Sequence, residues 1–211
     1  MVAGACALVA GGACAAADYT PVMVSLVTPV QVPSRDYDVG GFRLSLIYGD
    51  CQGFKGLDIG LAQRAAGDFT GIALGGINIA GGRFLGGQVG AVNWCYDATT
   101  SWTRRSIGGQ IGLLNRAGAF CGLQYGVANV ATVSFAGLQD GLFNYSYDLH
   151  GLQCGLYLIG AINVASGSVR GCQIGLINVA ETMECGLQVG LLNIISNKGW
   201  LPVLPLVNGH F

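Results

Sequence analysis

An octapeptide phrase, Gly-Leu-Gln-apolar-Gly-apolar-apolar-Asn, returns along this chain in close copies starting at Gly122, Gly171 and Gly186. Looser copies start at Gly56, Gly71, Gly86, Gly108, Gly137 and Gly151, and most successive starts lie 14 or 15 residues apart. A unit this short cannot enclose a core by itself, so the fixed period requires neighbours that stack. With the first glycine as position zero, positions one, three and five are mostly Leu, Ile, Val or Tyr, while positions two and four are usually Gln and Gly. Alternation with a period of two marks strands rather than helices. The alternation breaks at position six, which is again apolar, and Asn follows at position seven. These are Asn78, Asn93, Asn115, Asn129, Asn144, Asn178 and Asn193.

The expected fold is all-β, a repetitive parallel β-solenoid in which each repeat of about 15 residues makes one coil. In this reading positions one, three, five, six and eight point inward, as do Phe69, Phe84, Phe120 and Phe135, which precede the next glycine. Gln and Gly face out, and the phase break becomes a corner. Every polar residue between Gly171 and Cys185 (Gln173, Asn178, Glu181, Thr182, Glu184) then falls outside or at a corner. The recurring Asn is expected to hydrogen-bond to its equivalents in the coils above and below, satisfying backbone groups left over at the bend. The alternative is an antiparallel transmembrane β-barrel with one strand per repeat. It fits less well, because strict alternation would place Asn beside Leu and Ile on the lipid side.

Four segments follow. Residues 1–17 hold only small and apolar side chains apart from Cys6 and Cys14, and end Ala15-Ala16-Ala17 before Asp18, which reads as a signal peptide lacking its basic start. Residues 18–55 are expected to form N-terminal capping strands, 56–199 the repeat array, and 200–211 a C-terminal cap over an otherwise open sheet edge. One interval is stretched to 22 residues, so the loop at 95–107 is the candidate binding segment, carrying Tyr96, Trp102, Arg104 and Arg105. Near residue 160 the ending Gly160-Ala161-Ile162-Asn163 comes late, and the coil boundary there is open.

Net charge is −1, with 10% charged residues and 36 glycines. Such a chain is too apolar for disorder, and it lacks the basic stripe that nucleic acid demands. Six cysteines follow the leader, Cys51, Cys95, Cys121, Cys154, Cys172 and Cys185, without paired spacing. Export would permit disulfides, but the default reading is of thiols acting as small buried hydrophobes. No Cys-x-x-Cys pair occurs, and His150 and His210 are the only imidazoles, so no metal site is expected. Neither histidine has a Ser or Cys with a partnering acid nearby in sequence; no catalytic residues are assigned and no enzyme is expected. The stretch with Gly75-Gly76, Gly81-Gly82 and Gly86-Gly87 lacks a dinucleotide or phosphate-loop pattern, so no cofactor is expected.

The repeats resemble the Leptospira-type bacterial surface-repeat family, whose members carry phrases of the form GLQIGLxNxA. Ser25 to Gln31, Phe42 to Gly49, Gly56 to Leu61 and Pro202 to Phe211 resemble its flanking phrases, so the likeness runs from about Ser25 to Phe211. The resemblance implies export and a cell-surface or outer-membrane setting in a Gram-negative bacterium. It brings no catalytic residues. The functional expectation is a non-enzymatic structural or interaction scaffold whose partners are outer-membrane or surface components. A barrel pore and a small-ligand-binding surface module are the alternatives.

Overall fold

In a computed structural model of the chain, residues 18–96, 105–155 and 162–211 are described. The strands are β1 (Tyr19–Val27), β2 (Val30–Val32), β3 (Asp38–Cys51), β4 (Phe54–Ala65), β5 (Phe69–Ala80), β6 (Phe84–Val89), β7 (Val92–Cys95), β8 (Ser106–Cys154), β9 (Ile162–Ile174), β10 (Ile177–Ile195) and β11 (Val203–His210). They stack as a parallel β-solenoid of about 10 turns with coils of about 15 residues, not a barrel. Register follows the repeat: Phe54 pairs with Phe69, Gly56 with Gly71 and Ala65 with Ala80. β8 runs for 49 residues because ladder pairing continues around its corners. The stack begins before the first recognised repeat, since Gly41 of β3 pairs with Gly56. At one end β1 pairs with β3 in parallel and with β2 antiparallel. At the other, β11 pairs antiparallel with β10.

The expected assignment of faces is inverted at the alternating positions and at position eight, whereas Phe69, Phe84, Phe120 and Phe135 lie inside as expected. Position two is fully buried, as in Gln88, Gln110, Gln124, Gln139, Gln153, Gln173 and Gln188, and so is the Asn of position seven. The apolar residues of positions one, three, five and six lie outside or half outside. Gln173 and Asn178, expected outside or at a corner, are fully buried. The physical reason is thinness. Two backbone walls approach so closely that each coil has room for about four inward side chains: an aromatic or aliphatic before the glycine, Gln, Asn, and a small residue such as Ala65, Ala80, Ala131 or Ala180.

Polar side chains are stable there because the Asn and Gln amides pair along the stack; Ser45 Oγ is an exception, buried without a partner. The Asn amides form a ladder: Asn78 Nδ2 donates to Asn93 Oδ1 at 2.8 Å, and the same bond recurs through Asn115, Asn129, Asn144, Asn163, Asn178 and Asn193. The expected hydrogen bonding between equivalent Asn residues is therefore found, though inside the coil. From Asn78 to Asn178 each amide also reaches a main-chain carbonyl of the next coil, such as Asn129 Nδ2 to Asp140 O at 2.9 Å, and Asn193 Nδ2 reaches Gly190 O of its own coil. The Gln column forms a second ladder, for example Gln124 Nε2 to Gln110 Oε1 at 2.7 Å and Gln139 Nε2 to Gln124 Oε1 at 2.7 Å. Gln188 Nε2 braces the opposite wall through Ile194 O at 3.0 Å. Paired amides in a low-dielectric interior remove the penalty that unpaired ones would incur. A third column stacks aromatic rings, with centroids 5.0 Å apart for Phe54–Phe69 and 5.6 Å for Phe69–Phe84.

Candidate interaction surface

Turning the polar residues inward leaves a long apolar edge outside. Its crest is position five at the bend of each coil, where Leu61, Leu113 and Leu191 are 61%, 62% and 65% exposed. Beside the crest, Ile72, Leu74, Ile77, Ile111, Leu114 and Leu192 continue the exposed apolar surface on both walls. The caps share it. Leu46 of β3 and Leu206 of β11 are 57% and 66% exposed at the corresponding ends of the stack. With strands about 4.8 Å apart, ten coils make this edge roughly 45 Å long. From position three over the bend to position six it is about 10 Å across, giving on the order of 450 Å² of apolar surface. That is the size of the largest apolar patch on a typical monomer, which is often functional.

Charge is distributed around this edge in a definite order. Among the described residues of the array, positions one to six hold only two charged groups, Asp58 and Asp140. Asp58 is buried. Asp140 sits within the apolar columns beside Cys154, and burial pushes its carboxyl above the usual range while a hydrogen bond with Cys154 pulls it back. The columns that border the edge, one residue before the glycine and at position eight, carry Lys55, Arg64, Arg116 and Arg170 and no acidic residue within the array. Arg64 pairs with Asp50 at 3.4 Å, and Arg170 with Glu184. Asp68, Asp148, Glu181 and Glu184 lie toward the opposite edge, together with Arg83 and Arg105.

Position eight also supplies aromatics. Trp94 stacks on Tyr96 with centroids 4.8 Å apart, and the Arg116 guanidinium lies 4.7 Å from the Trp94 ring. This cluster adjoins the expected binding loop. Tyr96 is half exposed within it, and Arg105 offers its carbonyl to Arg83 Nε at 3.3 Å. Trp102 and Arg104 lie outside the described residues, as does the leader at 1–17.

Inside the N-terminal coils the Gln column gives way to an ion pair. Arg43 occupies the inward place of position two and binds Asp58 through two hydrogen bonds, one of them Nε to Oδ1 at 2.8 Å. Arg43 Nη1 also donates to Arg64 O at 2.8 Å and lies 2.9 Å from Cys51 Sγ. Burial pushes the Cys51 thiol up to about 12, despite the nearby guanidinium. Asp58 is raised by burial and pulled back by Arg43. These groups satisfy one another in the interior, which makes them an internal clamp.

Two open grooves lie near the stack ends. One of 610 Å³ is lined by Tyr19, Asp38, Lys55 and Asp68, and one of 490 Å³ by Glu184, Lys198, Trp200 and His210. Among the described residues no group of three His, Cys, Asp or Glu side chains is placed to hold a metal. No helix there is long and apolar enough to cross a membrane. No disulfide links the six described cysteines; Cys51 and Cys95 are buried, whereas Cys185 is exposed, so the reading of all six as core thiols fails there.

Three features escaped the sequence. Asn163 belongs to the Asn ladder, displaced by the longer interval at 151–171; its flanks, Ile162-Asn163-Val164-Ala165, match Ile177-Asn178-Val179-Ala180. Gln63 heads the same ladder, donating to Asn78 Oδ1 at 2.5 Å. The apolar edge was hidden by the assumption that apolar side chains face in. The chain matches no protein-family model, and no curated protein or solved structure is significantly similar to it.

Proposed function

We propose that this chain is a non-enzymatic bacterial repeat protein of the cell surface or outer membrane, a rigid scaffold in the Leptospira-type surface-repeat family. The Asn ladder carries this reading. It ties eight successive coils through side chains buried along the axis, from Asn78 to Asn193, and so favours a stiff rod with long uniform faces. Export and the surface setting come from the resemblance and the apolar leader, and the expected partners are outer-membrane or surface components. Protease shaving of intact cells is the test. Digestion on whole cells is expected, and a chain cut only after lysis would refute the location.

A second reading takes the 95–107 segment as a small-ligand-binding face, with Tyr96, Trp102, Arg104 and Arg105 contributing. The stack of Trp94 on Tyr96, with Arg116 over the indole, supports it as a flat platform for a sugar ring or an apolar group. Glycan binding that survives both Trp94→Ala and removal of the loop would end this reading.

A further inference from the structure

We propose that the leucine-crested edge of the solenoid beds into the interfacial layer of a lipid bilayer with anionic headgroups. The inference rests on the surface or outer-membrane reading only for where such a bilayer is met. Depth comes first. Two residues of strand separate the crest from position three, about 7 Å, within the roughly 5–10 Å to which interfacial segments bury their apolar faces. Next come the borders. Trp94 and Tyr145 stand in the column behind the edge, at the level where amphipathic rings favour headgroups. Lys55 and Arg116 stand in the same two bordering columns and have no carboxylate partner among the described residues. Cations at that level attract anionic lipid. Within the array the acidic groups lie inside the coil, as Asp58 does, or toward the far edge, with Asp140 at position three the exception.

A second copy of the chain is the competing occupant. The edge is convex, with the most exposed leucines at its crest, so a copy of itself would touch along a line, whereas a fluid bilayer closes around it. Facing copies would also bring the basic borders together. Exposed leucines in both caps, Leu46 and Leu206, as well as along the array, fit an extended lipid surface better than a local protein contact.

The test is flotation of the purified full chain with vesicles of phosphatidylcholine, with and without phosphatidylglycerol. Wild type is expected to float with the mixed vesicles and to lose most of that binding in high salt. Leu113→Glu and Leu191→Glu are each expected to lower partitioning about tenfold or more. Gln52→Glu and Ser196→Glu, each the same single change of charge on an exposed site away from the crest, are expected to float like wild type. Unchanged circular dichroism melts keep a loss of binding from being a loss of fold. Arg116→Gln is expected to reduce the preference for phosphatidylglycerol. Wild type that stays at the bottom with both vesicles, or crest variants that float normally, overturns the proposal. So does a dimer in solution that Leu113→Glu dissociates, since the edge is then covered by a second copy. A chain that is shaved from cells yet never floats leaves the scaffold reading standing; one that floats but resists shaving does the reverse.

Discussion

At position zero of each repeat the backbone takes a conformation that suits glycine and runs against the coil before it. Gly71 has φ of +140°, and a Cβ there would overlap the carbonyl oxygen of Gly56. Gly87, one repeat later at position one, has nothing within 4 Å of its would-be Cβ. The chemical change is the same at the two sites, so their difference reads the positive-φ backbone and the contact with the preceding coil together. Gly71→Ala is expected to cost about 3 kcal/mol or more, and Gly87→Ala to stay within about 0.5 kcal/mol, read from denaturant midpoints. Equal effects would show that the coils are not stacked in this register. The Asn ladder makes a second demand. Asn129 accepts from Asn115 and donates to both Asn144 Oδ1 and Asp140 O. Asn129→Ala removes three hydrogen bonds and leaves Asn144 Oδ1 buried without its donor, at about 1 kcal/mol or more. A thermal melt within error of wild type would mean the ladder is not formed.

Among the elements, β3 and β4 are joined differently from the rest. Where the coils from Gln88 onward place Gln on Gln, β3 supplies Arg43 and β4 supplies Asp58, both almost wholly buried, and Ala73 separates the two columns. Charges withdrawn from water need each other, so removing one is worse than removing both. Arg43→Met is expected to destabilise by roughly 3–5 kcal/mol, and adding Asp58→Leu to recover part of that loss. Equal destabilisation by the single and double variants would mean the pair is not coupled. This exchange also explains what the sequence could and could not reveal. Period, parallel stacking and Asn-to-Asn bonding follow from residues that recur at one spacing, such as Asn115 and Asn129. Which face is inside does not follow from alternation, because Leu123-Gln124-Tyr125 alternates identically whichever way it points. The width of the coil decides, and width depends on the glycines and on the other wall. Asn163 was obscured for another reason, an insertion that shifts its spacing without altering its place in the ladder.

On the scale of the whole molecule, each coil touches only its neighbours, so stability is a sum of coil and interface contributions and length is adjustable. The repeat provides a clean way to test this. Removing residues 122–136 takes out one coil and joins Cys121 to Gly137, so each inward column loses one member and keeps its order. Gln139 then meets Gln110, and Asn144 meets Asn115. Removing residues 122–129 instead places Val130 where Gly122 stood and Gly137 where Asn129 stood, forces Gln139 into the place of Ala131 and moves Asn144 out of its column, because a partial coil cannot restore the register. The first deletion is expected to give a soluble β-protein with a cooperative melt at a somewhat lower midpoint. The shorter one is expected to lose that cooperative transition, although it removes fewer residues. Comparable behaviour of the two variants in circular dichroism would count against a stacked array. The full-coil deletion should also keep vesicle binding, since it removes only Val127 from the crest and brings Leu113 beside Leu142. Stability and lipid binding are thereby separated: one depends on the polar columns inside, the other on the apolar edge outside.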